Sequence, residues 1–470
     1  MDAPPSCAPA ESMKALLIRV RSLLAVVGAL FVCTVALAQD PSPVTLQQAV
    51  SIALEKNPLH KAALADTKAT SAGVQEARSF LLPHLTFSET ATRGNDPVYA
   101  FGSKLRQQRF SSNDFALNTL NTPPPFGNFS TRFGGTWNLF DSFASWRGTR
   151  RASLVNQAAG HQLERTDQEL VLRVVDAYYA LLLANRDLEV AEESARSAQA
   201  IFDRSQNRFE SGLVVQSDPL SAKVRLASRQ QELIRARNNV SLAQSQLATA
   251  MGLNVDSLFQ PAEVLAERAL PVPALDVLQK QALASRPDLK RIQSEEAAQR
   301  ASVSIAKSNF GPRVNAFAGW QTDNPTFLAG GGGNNWLGGI EVQFDIFQGG
   351  AKRAQLARER ALEQKVTALR QSASDTVLLD VRRAYYDVDA TRQQLEVARA
   401  SIAQAQESLR INQDRYDTGL ITIADLLAAE DAARRSQADY WQAVYRFHTS
   451  YAAMELASGT LTPQSPVVTP

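Results

Sequence analysis

The chain repeats itself at two fixed offsets, and this constrains its fold more than any other feature. Leu46-Gln47-Gln48-Ala49 through Lys56-Asn57-Pro58-Leu59 matches Leu275-Asp276-Val277-Leu278 through Ser285-Arg286-Pro287-Asp288, and Pro83 matches Pro312, at an offset of 229. Further on the offset is 207. There Leu139-Phe140 aligns with Ile346-Phe347, Ala177-Tyr178-Tyr179 with Ala384-Tyr385-Tyr386, Phe209-Glu210-Ser211-Gly212-Leu213 with Tyr416-Asp417-Thr418-Gly419-Leu420, Asp218 with Asp425, and Gly252 with Gly459. Two constant offsets mean one duplication plus one length difference, so each copy is one structural unit. The extra residues fall between Pro83 and Leu139.

Each copy reads as a short helix, a medium helix, a strand, a loop, a strand, a very long helix, a tight turn and a return helix. From Ala351 to Asp417 there is neither Gly nor Pro, and Ala, Leu, Gln, Arg and Glu dominate, which predicts one unbroken helix. The first copy repeats this from about Ser145 to Glu210, interrupted only by Gly148 and Gly160. Apolar residues such as Leu378, Leu379, Val381, Tyr385, Tyr386 and Val388 recur at helical spacing, while Arg, Gln and Asp punctuate every turn. That pattern gives a narrow apolar seam and coiled-coil packing. The return helices, Pro219 to Met251 and Leu426 to Ser458, are about half as long. Helices Leu59 to Leu81 and Asp288 to Asn309 have the length to stack end to end on them.

The strands alternate. Trp336, Gly338, Ile340, Val342, Phe344 and Ile346 interleave with Leu337, Gly339, Glu341, Gln343 and Asp345; their counterparts Phe129, Thr131, Phe133, Gly135, Trp137 and Leu139 interleave with Ser130, Arg132, Gly134, Thr136 and Asn138. Period-two alternation puts the apolar set on one face. Phe133, Trp137, Leu139, Ile340, Val342, Phe344 and Ile346 are the candidates for contact with lipid. The earlier strand of each copy is fainter: Leu85, Phe87 and Ala91 share a side with Glu89, and Val314, Ala316, Ala318 and Trp320 share another. Lengths near ten residues suit tilted outer-membrane strands. Four such strands cannot close a barrel, and an open edge in lipid leaves backbone groups unsatisfied. The chain must then oligomerise, and sequence alone allows two copies or three.

Export is written at the N-terminus. Lys14, Arg19 and Arg21 precede the apolar run Leu23 to Val35 and the triplet Ala36-Leu37-Ala38, the pattern of a secretory signal. Met13 is an alternative start. Both cysteines, Cys7 and Cys33, precede Ala38, so the processed chain is expected to have neither disulfides nor thiol chemistry. Beyond Ala38 no stretch approaches the roughly 20 apolar residues of a membrane helix. The formal net charge of +2 gives no reason to expect a nucleic-acid partner.

Taken together, the duplication, Ala53-Leu54-Glu55-Lys56-Asn57-Pro58, Ala284-Ser285-Arg286-Pro287-Asp288-Leu289 and the paired turns ending in Asp218 and Asp425 resemble the TolC-like outer-membrane efflux family over essentially the whole processed chain. The resemblance implies a mainly α fold with membrane β: two tandem repeats, a homotrimer whose twelve strands form one barrel in outer-membrane lipid, and a periplasmic α-helical barrel beneath it. It further implies a passive exit duct that meets a periplasmic adaptor (a membrane fusion protein) and is energised by an inner-membrane transporter. The chain then divides into a signal and upstream extension (1–38), a first repeat (39–252), an equatorial linker (253–274), a second repeat (275–459) and a tail (460–470).

On this mapping Gly94 to Asn128 and Asp323 to Asn335 are extracellular loops, and the two tight turns are periplasmic tips. Asp218, Tyr416 and Asp425 become entrance and gating candidates; Gly212, Leu213, Gly419 and Leu420 become adaptor contacts. The alternatives are that Asp218 and Asp425 merely cap helices, Asp218 as the N-cap before Pro219, and that the turn leucines merely staple them. The family's tip network has a basic residue where Ile421 stands here, so the closed-state lock is expected to be weaker or built differently. A second acidic ring falls on Ala428.

No catalytic or cofactor site is expected. His60, His84, His161 and His448 are scattered, Gly330-Gly331-Gly332-Gly333 lacks a P-loop lysine, and Pro123-Pro124-Pro125 reads as loop stiffening. The competing reading is a periplasmic adaptor or structural coiled-coil protein, which the duplicated hairpins and alternating strands count against; an enzyme of helical fold is more distant.

Overall fold

A computed structural model describes residues 43–327 and 333–469. The export segment through Ala38 and the glycines at 330–332 lie outside the described residues. In chain order the elements are β1 (Pro43–Val44), α1 (Leu46–Lys56), α2 (Pro58–Ser79), β2 (His84–Gly94), α3 (Pro97–Arg106), a 3-10 turn (Ser112–Phe115), α4 (Leu117–Asn121), β3 (Phe126–Phe140) and α5 (Ala144–Glu210). They continue with α6 (Ser217–Ala250), β4 (Gln260–Pro261), α7 (Leu275–Ser285), α8 (Pro287–Ser308), β5 (Arg313–Asn324), β6 (Gly333–Gln343), α9 (Ala351–Asp417) and α10 (Ile423–Ser458). No described helix is long and apolar enough to cross a membrane.

The two long helices have the predicted extents, each 67 residues or roughly 100 Å. The return helices begin two to three residues earlier than proline and leucine suggested, at Ser217 and Ile423. Helices α2 and α8 stack end to end on α6 and α10, and the Asn-Pro and Arg-Pro motifs build the junctions. Asn57 accepts from the Leu59 amide to cap α2 and donates through Nδ2 to the Ala250 carbonyl at the end of α6, 2.9 Å away. Arg286 occupies the same place in the second copy, reaching Asp288 at 2.6 Å and Asp380 at 3.1 Å, while Ser285 Oγ donates to the Ser458 carbonyl. Gly252 and Gly459 lie against these residues with φ of +73° and +75°; a Cβ on them would come within 2.4 Å of Asn57 Cα and 2.9 Å of Arg286 Cα. Both the left-handed backbone and the close approach require glycine.

The main core lies near the middle of the long helices, where Tyr178, Leu181, Val174 and Val175 pack with α1, α7, the end of α10 and the tail residues Leu461, Val467 and Val468. Tyr178 donates to the Val44 carbonyl and to Glu263, whose carboxylate also accepts from the Leu46 amide. These bonds tie the short parallel β1–β4 pair to the helix layer. The copies differ in environment. Tyr178 and Tyr179 are buried, whereas Tyr386 is 60% exposed; sixteen residues of α5 are buried against five of α9. Helix α5 is interior, packed by α2, α6, α8 and α10; α9 forms one edge of the protomer, and α2 with α6 forms the other.

The strands form one antiparallel sheet in the order β2-β3-β5-β6. Phe87, Phe133, Trp320 and Trp336 are register partners across all four strands, with ring centroids 5.1 Å apart for Phe87 and Phe133 and 5.9 Å for Phe133 and Trp320. Leu85, Trp137, Ala316, Ala318, Ile340 and Val342 share that face. Thr86, Ser88, Arg132, Thr136, Gln321, Asp323, Asn335 and Glu341 share the other. Two expectations need correction. Strand β6 ends at Gln343, so Phe344 and Ile346 follow the strand rather than belong to it. Leu139 is skipped in the pairing of β3 with β5, where the register shifts between Asn138 and Phe140. The extra residue of a bulge breaks the alternation, and Leu139 and Phe140 are both exposed.

Gly252→Ala is expected to destabilise the chain, because a left-handed alanine alone costs about 1–2 kcal/mol and the Asn57 backbone must also move. Gly160→Ala, inside α5 with open space around its Cβ position, should gain about 0.5–1 kcal/mol. Thermal unfolding in detergent, followed by helical circular dichroism, should separate the two in opposite directions.

Candidate functional site

The two tips are built alike. Helix α5 closes with Gly212 at φ +72° and the Leu213 amide on the Arg208 carbonyl; α9 closes with Gly419 at φ +77° and the Leu420 amide on the Arg415 carbonyl. A left-handed glycine at this place ends a helix at little cost. Leu213 and Leu420 are 68% and 74% exposed, so neither staples its turn. The apolar cluster at this end is made instead by Ile201, Ala222, Tyr416, Ile423, Leu426 and Leu427, with Ile421 packed against it.

The acidic candidates are placed differently from one another. Asp218 is not an N-cap: Ser217 already begins α6, the cap position falls on Gln216 with no side-chain bond, and the Asp218 amide donates to Val215. The backbone turns helical before the proline, so Asp218 lies in the first turn, where its charge faces the positive end of the helix dipole. Asp425 takes the third position of a capping box on Thr422, accepting from the Thr422 amide at 3.0 Å and hydroxyl at 2.7 Å. These bonds hold the Asp425 carboxyl below the usual carboxylate range. Its contribution to the cap is therefore present at neutral pH and lost as pH falls through that lowered value.

Tyr416 is 2% exposed and its hydroxyl has no hydrogen-bond partner within the protomer. Burial, and then the nearby Asp218 carboxylate, push the phenol above its ordinary range. The structure thus brings Tyr416 near Asp218 without a hydrogen bond between them. Ile421 offers no side-chain donor, and two arginines of α5 reach the end of α9. Arg208 Nη1 donates to the Tyr416 carbonyl at 2.7 Å and the Asp417 carbonyl at 3.1 Å, and its guanidinium sits 5.0 Å from the Tyr416 ring centroid. Arg204 Nη1 lies 2.8 Å from both carboxylate oxygens of Asp417. Orphan carbonyls at a helix C-terminus favour such donors.

Above the tips a charged cluster joins the return helices. Arg229 on α6 is 2% exposed and bonds Glu232 at 2.9 Å and Asp431 on α10, with Glu430 at 3.6 Å; Arg225 also reaches Asp431. Glu430 accepts from Ser194 on α5, and burial pushes its carboxyl up. Sequence reasoning missed this cluster and the Arg204–Arg208 pair because neither repeats at the 207 offset: Val224 aligns with Asp431, and Ile411 with Arg204. The signal available was an arginine on the apolar seam. No group of His, Cys, Asp and Glu among the described residues is arranged to hold a metal ion.

Residues 49–253 and 278–460 match the family model described as outer membrane efflux protein. The chain is 24% identical over 439 residues to the alkaline protease secretion protein AprF of Pseudomonas aeruginosa, covering 90% of this chain and 86% of AprF. It is 26% identical over 443 residues to the outer membrane protein TolC of Escherichia coli, covering 89% and 83%. Among solved structures, the CmeC outer membrane channel of Campylobacter jejuni superposes with a TM-score of 0.76 at 18% identity, covering 90% of this chain and 87% of CmeC. The outer membrane protein VceC of Vibrio cholerae gives 0.73 at 20%, covering 88% and 96%.

Removing one partner of a buried charge cluster typically costs about 3–5 kcal/mol, whereas an exposed pair contributes about 0.2–1 kcal/mol. Arg229→Ala should therefore raise amide exchange along the lower halves of α6 and α10 far more than Arg204→Ala does. Equal effects would show that the Arg229 cluster is solvated and holds nothing.

Proposed function

The chain belongs to the outer membrane efflux protein family, and from that premise we propose how its parts serve the duct. Family members are channel-forming proteins, and this chain is an outer-membrane channel, an exit conduit for an efflux or type I secretion system of a Gram-negative cell. One observation carries the assembly: a four-stranded sheet with an apolar and a polar face and two unpaired edges, β2 and β6. Unpaired edges are not tolerated in hydrocarbon. Three copies joined edge to edge give twelve strands with lipid outside and water inside. Phe133, Trp137, Ile340 and Val342 then face lipid, with Phe344, Ile346 and Leu139 at the strand ends.

The helices support the same closure. Leu362, Leu369, Tyr386 and Val397 are exposed along α9, and Leu220, Val224, Ile234 and Leu242 along α6. Such stripes are the two halves of a head-to-tail interface that closes when the rotation does. The repeats 39–252 and 275–459, joined by 253–274 and followed by the tail 460–470, each contribute one hairpin to the periplasmic tube.

At the tips, Asp425 and Asp218 form acidic rings that attract cations to the entrance, and Tyr416 with Arg204, Arg208 and Asp417 holds the entrance closed. Gly212, Leu213, Gly419 and Leu420 form the contact for a periplasmic adaptor, through which an inner-membrane transporter supplies the energy. Exposure of both leucines supports that contact, since apolar side chains on a turn gain from a partner what they lack in the protomer.

The chain purified from outer membrane in mild detergent should have three times the processed chain's mass, and in planar bilayers it should conduct with a preference for cations. Asp425→Ala should weaken that preference. An unchanged preference would reduce Asp425 to its capping role, and a soluble monomer without conductance would remove the duct altogether.

A further inference from the structure

The segment between β2 and β3 does not hang free of the sheet. Asp96 caps α3 by accepting from the Tyr99 amide at 2.7 Å, with Pro97 at the first helical position. Phe101, Phe110 and Phe115 stack edge to face at 4.6 and 5.1 Å, and Lys104 pairs with Asp114 at 2.6 Å. These contacts make the segment a small folded unit in which the C-terminal end of α3, Arg106 and Gln107, lies on the sheet.

The face on which it lies is decided by register. Asn128 and Asp323 belong to the polar set with Arg132 and Gln321, and Gly333 pairs with Asp323. Gln107 Nε2 donates to Asn128 Oδ1 at 2.8 Å and to the Gly127 carbonyl at 3.0 Å. Asn128 Nδ2 donates to Asp323 at 2.6 Å, Gln321 Nε2 to the other Asp323 oxygen at 2.8 Å, and Arg132 to Gln321 at 2.7 Å. The Arg106 carbonyl lies where a Cβ on Gly333 would point. Gln107 and Asp323 are 2% and 0% exposed. Withdrawing the segment would exchange these buried bonds for bonds to lumen water, at a net cost of about 0.5–1.5 kcal/mol for each bond lost.

We propose that residues 97–121 form a fixed shelf on the inner wall of the barrel, making the outward mouth of the duct a second, size-limiting constriction. The inference rests on the reading of the polar face as the lumen. Its scale follows from geometry: twelve strands spaced about 4.8 Å apart and tilted about 40° enclose a tube of roughly 24 Å between backbones. A helix with its side chains is about 10–12 Å thick, so three shelves reaching inward leave only a narrow aperture. Solutes that clear the periplasmic entrance are thus sorted again by size at the exit.

The processed chain has no cysteine of its own if cleaved after Ala38, so Thr136→Cys, on the lumenal face below the shelf, gives a single reporter. Maleimides added outside intact cells are the probes, one small and one carrying a bulky polymer. With the shelf intact the bulky reagent should react at least an order of magnitude more slowly than in a deletion of residues 97–121, while the small one reacts in both. Gln107→Ala combined with Asn128→Ala, which leaves the chain length unchanged, should move the bulky reagent in the same direction. Equal bulky labelling with and without the shelf overturns the constriction. Failure of both reagents in every form would overturn the duct reading beneath it.

Discussion

The hydrogen bonds that β2 and β6 cannot make within the protomer govern the rest of the molecule. An amide or carbonyl left unpaired in hydrocarbon costs several kcal/mol, and a strand edge carries a row of them. A sheet with one apolar face and two such edges is stable in a membrane only as part of a closed ring. Closure in turn fixes the helices, since each long helix follows a strand through a short turn: the Phe140 end of β3 leads into α5, and β6 leads through residues 344–350 into α9. On the proposed assembly, the exposed stripe on α9 and its counterpart on α6 are consequences of that ring rather than defects of a monomer core.

Duplication supplies the architecture, and divergence supplies what is specific to it. At the strand-to-helix turns the second copy uses Gly349 and Gly350 in left-handed conformation, whereas the first places Ser142 and Phe143 there, also at positive φ. Ser142 repays part of that strain by donating to the Pro312 carbonyl and accepting from Arg147. The tyrosine pair follows the same logic: Tyr178 and Tyr179 fill the core, while Tyr385 packs half-buried against it and Tyr386 is exposed. Asn57 and Arg286 solve one junction with different chemistry, a capping amide in one copy and a buried guanidinium between two aspartates in the other.

Much of this was legible in sequence because it rests on repetition and on helix breakers. The absence of Gly and Pro set the limits of α9, and offset matches located both tips. What was not legible depends on local backbone choice or on asymmetry. Asp96–Pro97 and Asn57–Pro58 are used as caps, yet the similar Asp218–Pro219 is not, because the chain turns helical before it. The bulge near Leu139 defeats alternation by a single residue, and β6 ends three residues before Ile346. Arg208 matches Arg415 at the repeat offset, but Arg204, the Arg229 cluster and the shelf have no counterpart there, so self-comparison could not reveal them.

The central claim is that strand edges join neighbouring copies into a ring that closes at three. Single cysteines placed along Thr86 to Thr92 of β2 and Asn335 to Gln343 of β6, combined in pairs and oxidised in native outer membrane, test it directly. Cross-linking at one register, giving bands at two and three copies and none beyond, is the result the account predicts. A ladder continuing past three, or one ending at two, would contradict it.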